Sequence, residues 1–220
     1  MSDASPRSPL LGRRYEQYLE HKDLAVYVRE VRDRYTQGTL EQLAGHPTRE
    51  IRRAAILALG AVADYSANNT MGRALSDEDR TVRTLAESGI RAVWVRAGDA
   101  RQQRQLEAVS RLIALGRHQD AVRRAGRLIH QAAWYAEAWN QRAIAHYSLG
   151  QFAEAIRDCH ETLEINPYHF AAAAGMGQAF LELGNRASAL DAFRRALRLY
   201  PDLESVRVQV ARLSKSAEGM

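Results

Sequence analysis

The side chains best able to do chemistry are spaced poorly for it in this chain. Cys159 is the only cysteine, so an internal disulfide is ruled out. A thiolate nucleophile needs a base at hand, and His160 is the next residue, but consecutive residues of a helix point about 100° apart. His146, His160 and His169 fall without the i, i+4 pairing or the cysteine partners that a zinc site uses. Gly175, Met176 and Gly177 suggest a phosphate-binding loop, yet no strand precedes them, and their small size fits close helix contacts. With no paired carboxylates, nucleophile elbow or Walker sequence, the expectation is a protein that is not an enzyme and that holds no cofactor or metal.

Charge offers a second kind of chemistry. The net charge is +5, and residues 101–135 alone carry seven arginines against two acids. Arg123, Arg124 and Arg127 fall on one helix there, a basic face able to touch phosphates through salt-sensitive contacts. Aromatics for stacking bases do not interleave them, which favours a solvated surface and makes nucleic-acid binding the alternative reading. No run approaches the ~20 apolar residues of a membrane span, and the N-terminus has no charged-then-apolar signal. A cytoplasmic location away from membranes is expected.

These residues must be held by something, and the chain repeats itself. Residues 136–169 hold Trp139, Ala143, Tyr147, Gly150, Phe152, Ala155, Leu163 and Pro167. A shift of 34 lays Gly177, Gly184, Ala189, Phe193, Ala196 and Pro201 of residues 170–203 on the same template. Small residues at 143, 155, 177 and 189 let two helices approach closely, while Phe152, Phe180 and Phe193 fill the space around them. Gly150 and Gly184 suit a reversal with positive φ, and Pro167 and Pro201 stop a helix that cannot continue past them. A weaker copy over 102–135 keeps Ala108, Leu112, Gly116, Ala121 and Leu128, with Ala133 at the proline position.

This 34-residue pattern resembles the tetratricopeptide (TPR) repeat. The resemblance implies an all-α fold, an α-solenoid of stacked helical pairs, in which the first helix of each unit lines a concave groove. It places Leu106, Ser110 and Ile113 in that groove from the first unit, Glu137, Asn140, Ile144 and Tyr147 from the second, and Gln178 and Leu181 from the third. Such a groove takes a protein or peptide partner: Tyr147 would be an aromatic anchor, and Asn140 and Gln178 could bond a peptide backbone. Cochaperone TPR domains clamp an acidic peptide terminus with basic and Asn residues. Here Leu106, Ser110, Ala171 and Gly175 stand at those places, against a clamp of that kind.

Upstream, a shift of 31 lays Leu40 on Met71, Ile51 on Val82, Arg52 on Arg83, Ala55 on Ala86 and Leu59 on Ile90. A polar turn, then an apolar residue followed by Arg, then a helix with small residues resembles a short HEAT-like repeat, and two are expected over 39–98. Thr39 to Gln42 fits a capping box and Ser76 to Asp79 an acidic helix start. Leu24, Tyr27, Val28, Val31 and Tyr35 make one apolar stripe, so residues 12–38 read as a single capping helix ended by Gly38. Residues 1–11 read as a disordered tail. After the last repeat, Leu203, Val206, Val210 and Leu213 recur at helical spacing, and 204–220 read as a C-terminal capping helix and a frayed tail.

Overall fold

The computed structural model describes residues 10–218, which form thirteen α-helices and no strand. Of the tails expected from the sequence, residues 1–9 and 219–220 lie outside the described residues. The chain divides into two compact units, residues 1–93 and 94–220.

In the first unit, α1 (Leu10–His21) and α2 (Leu24–Arg32) replace the single capping helix that was expected. Lys22 takes a left-handed φ of 57° and Asp23 caps α2 by accepting from the Val26 amide at 3.0 Å. This reversal puts Leu11 and Tyr15 of one helix and Tyr27 and Val31 of the other into the core. The expected disorder thus stops short of Leu11, which is fully buried. Tyr27 also donates to the Ala54 carbonyl at 2.7 Å. Gly38 ends nothing: it lies inside α3 (Gln37–Leu43). The cap there is Thr36, whose hydroxyl accepts from the Thr39 amide, so the helix starts three residues before the expected box.

Next come α4 (Arg49–Val62), a short 3-10 turn leading into α5 (Asn68–Ala74), and α6 (Arg80–Val95). Asp79 accepts from the Val82 amide at 3.0 Å, the acidic start expected for α6. The 31-residue repeat has a structural reason. Arg52 donates to the carbonyls of His46 and Pro47, and Arg83 does the same to Asp77 and Glu78. In both copies the arginine reaches six and five residues back, closing the polar turn onto the helix that follows. Arg52 is also bidentate to Asp77 and Arg53 to Asp79, an arrangement matched to the guanidinium fork. Gly60 of α4 and Gly89 of α6 touch backbone to backbone: a Cβ on either would lie 2.7 Å from the other's Cα.

The second unit is built of pairs: α7 (Ala100–Ala114) with α8 (His118–Gln131), α9 (Ala136–Ser148) with α10 (Phe152–Ile165), and α11 (Phe170–Glu182) with α12 (Arg186–Leu199). The last helix, α13 (Glu204–Glu218), packs on α12 through Val206 and Leu213. The three pairs share one turn. Gly116, Gly150 and Gly184 have φ of 72°, 73° and 73°, and the next amide bonds back to Leu112, His146 or Phe180 at 2.9 Å, the Schellman closure. The α8 helix stops two residues before Ala133, just as α10 and α12 stop two before Pro167 and Pro201. Proline is therefore not needed for that stop. Ala143, Ala155, Ala189 and Phe193 are buried, and a Cβ on Gly177 would meet the Phe193 ring at 2.6 Å.

Candidate functional site

The expected groove residues are not equally available. Leu106 is 3% exposed and packs with Leu128, Ile129 and Tyr135, so it belongs to the core, because α8 and the turn after it close over that face of α7. Ser110 is half-buried and donates to the Leu106 carbonyl within its own helix. Ile113 packs against the cluster of Val109, Ala121, Ala125 and Ala145. Asn140 is 7% exposed and its amide donates to Glu137 at 3.0 Å. It is spent inside the protein and does not face a peptide.

What stays open is the later half of α9 and α11. Ile144 is 41% exposed. Tyr147 is half-buried, sits edge-on to Phe152 at 5.4 Å and donates to Glu182 at 3.2 Å, tying α9 to α11. Burial first, and then the Glu182 carboxylate, raise its phenol above the usual range. Gln178 and Leu181 are half-buried, Leu181 lying against the cluster that holds Phe193 and Leu213.

A buried polar cluster, missed in the sequence, explains why Glu137 and Asn140 turn inward. One Glu137 oxygen accepts from Asn140 and from Gln141 at 2.9 Å, and the other faces His169 Nε2 at 3.0 Å. His169 Nδ1 accepts from the Ala172 amide at 3.1 Å, capping α11. That cap fixes the tautomer with the hydrogen on Nε2, donated to the carboxylate. Burial alone would raise the Glu137 carboxyl, but the bonds from His169, Gln141 and Asn140 outweigh it and hold it below its usual range. Trp94 stacks on the His169 ring at 4.1 Å. Both imidazole nitrogens are engaged within the fold, one on the Glu137 carboxylate and one on the α11 amide, so the arrangement orients helices.

A second cluster joins α9 to α10. Arg142 is bidentate to the buried Asp158, both bonds 2.7 Å, and lies 4.8 Å over the Trp139 ring. His146, 3.8 Å from Asp158, bonds Gln151. Cys159 is 4% exposed; burial, and then the Asp158 charge, push its thiol up to about 12, far from the thiolate a nucleophile requires.

The basic face is on the surface of α8. Arg123 is paired with Asp120, whereas Arg124 and Arg127 border a small cleft of about 150 Å³ with Gln105, Leu128 and Gln131. Among the described residues no group of three or more His, Cys, Asp or Glu is placed to hold a metal ion, and no helix is long and apolar enough to cross a membrane.

Comparison with known proteins bears on the second unit. Models of the tetratricopeptide repeat match residues 136–169 and 170–203. A TPR repeat-containing protein of Rhizobium etli is 34% identical over 85 residues, 39% of this chain and 42% of that protein. The Hsp70-Hsp90 organizing protein of Triticum aestivum is 30% identical over 79 residues, 36% of this chain and 14% of that protein. The chain thus spans less than half the length of the curated relatives it matches. Among solved structures, the first TPR of Spaghetti bound to the HSP90 peptide SRMEEVD has a TM-score of 0.51 at 20% identity, covering 53% of this chain and 93% of that one, a likeness of fold. Residues 136–203 of this chain are therefore two consecutive tetratricopeptide repeats.

Proposed function

We propose that the chain is a non-catalytic protein-interaction adaptor whose partner lies along the open half of α9 and α11. The observation that carries this is the strip formed by exposed Ile144 and half-buried Tyr147, Gln178 and Leu181 on the first helices of two adjacent repeats. It combines an aliphatic surface, an aromatic ring and a free amide, the mixture that anchors a peptide or helix. The pair over 102–135, with the same glycine turn, is read as a third, degenerate repeat, and the arginine-stapled pairs over 39–98 as HEAT-like repeats. The likeness to the Hsp70-Hsp90 organizing protein supports the reading by analogy, and a cytoplasmic location goes with it.

A second reading rests on Arg124 and Arg127, which face solvent beside a cleft and could take nucleic acid. One experiment separates the two. The full chain is used as bait in lysate of its native host, wild type beside Ile144→Ser with Tyr147→Ala, and beside Arg124→Glu with Arg127→Glu, each with and without nuclease. A protein lost with the groove substitutions and indifferent to nuclease is the expected result. Material lost with nuclease and with the arginine substitutions, but kept by the groove variant, would replace the adaptor reading with the basic-face one.

A further inference from the structure

Beyond the groove, a cleft of about 540 Å³ opens between the turn joining α11 to α12 and the face of α13, lined by Leu181, Gly184, Arg186, Gln209, Arg212 and Leu213. Its floor is aliphatic, from Leu181 and Leu213. Arg186 stands on the α12 side and Arg212 on the α13 side, and both are exposed. Neither guanidinium has an ion-pair or side-chain hydrogen-bond partner among the described residues, whereas Arg207 on the same α13 pairs with Glu204. The lining holds no acidic residue. Arg186 is also the first residue of α12, where the helix dipole adds positive potential.

We infer that this cleft docks an acidic peptide segment in which an aliphatic side chain is flanked by carboxylates. The aliphatic group covers the open part of Leu181, with the almost wholly buried Leu213 beneath it, and the carboxylates reach Arg186 and Arg212 on the two walls. Charge complementarity selects the occupant: a bare phosphate would answer the arginines and leave the apolar floor wet, while an apolar segment would leave two positive charges facing it. Gly184 keeps the mouth open, since it has a left-handed φ of 73° and nothing within 4 Å of where a side chain would begin. The cleft shares Leu181 with the strip of the proposed groove, but its two charges, Arg186 and Arg212, lie outside that strip, so different substitutions test the two readings.

The test is fluorescence anisotropy on the full chain with a fluorescein-labelled peptide GEELEEG. Saturable binding is expected, weakened roughly tenfold by Arg186→Glu with Arg212→Glu, the scale of two surface ion pairs. Added salt should weaken it too. Gln209→Trp, which fills the cleft without touching either charge, should abolish it, and Arg157→Ala, which removes an exposed charge on α10, should leave it unchanged. Replacing the peptide's leucine by serine should cost a similar factor. The inference is overturned by no saturable binding up to about 1 mM, by binding indifferent to the arginine or Gln209 substitutions, or by a serine peptide that binds as well, which would mark a bare anion site.

Discussion

Glu137 and His169, thirty-two residues apart, share a hydrogen bond of 3.0 Å in a site where both are almost fully buried. One sits at the start of α9 and the other caps α11, so the bond spans the whole of the first matched repeat and sets where the second begins. A buried carboxylate is tolerated only when donors surround it, and here three do.

Glu137→Ala removes the common acceptor and strands those donors. The expected loss is about 2–4 kcal/mol of unfolding free energy, the range for breaking a buried charged network. Urea unfolding of the two proteins reads it directly, and a loss below about 1 kcal/mol would contradict the network's role.

Acid should unsettle the first unit through Asp79. The Arg53 guanidinium holds this carboxyl at about 2, against an ordinary 3.8. The unfolded chain binds the proton more readily, so the stabilisation is complete above pH 3.8 and is lost as pH falls through about 2. Asp79→Asn should therefore lower stability at neutral pH and leave a shallower acid transition, followed by circular dichroism. Equal slopes in the two proteins would show that the pair is not linked to folding.

Two glycines with opposite surroundings should respond with opposite signs. Gly60→Ala forces a methyl against the Gly89 backbone and should cost about 1–3 kcal/mol, as overpacking does. Gly38 is exposed inside α3 with open space around it, so Gly38→Ala should add about 0.5–1 kcal/mol through helix propensity. Thermal melts of both variants check the pair, and a stabilised Gly60→Ala would mean that α4 and α6 can part without loss.

Cys159 should be inert in the native protein. Its raised thiol pKa and burial leave almost no thiolate at neutral pH. A chromogenic disulfide reagent is expected to react only after denaturation, and fast labelling of the folded chain would refute the burial.

Much of this was legible in the residues. The turns at Gly116, Gly150 and Gly184 are local, so a 34-residue spacing announces them, and the paired Ile51–Arg52 and Val82–Arg83 announced a second repeat before the carbonyl bonds of each arginine explained it. The break at Lys22 was hidden because a lysine, not a glycine, takes the left-handed turn. Asn140 and Leu106 were misplaced because periodicity tells which face of a helix they share, whereas their burial depends on His169 and on α8, distant in sequence. The one available hint was a histidine directly ahead of Phe170, at the position where a side-chain acceptor caps a helix.

Trp94 also decides where this protein can be cut. The frontier between the compact units falls within α6, between Val93 and Trp94, and not in the loop that follows. Beyond it, Tyr135 relies on the Val95 carbonyl at 2.6 Å, and Trp94 lies against both His169 and Phe170. A shortened chain begun at Ala100, the natural first residue by helix boundaries, would bare one face of the imidazole and leave a tyrosine hydroxyl without its acceptor. The smallest autonomous version of the repeat half must keep the last turn of the helix before it.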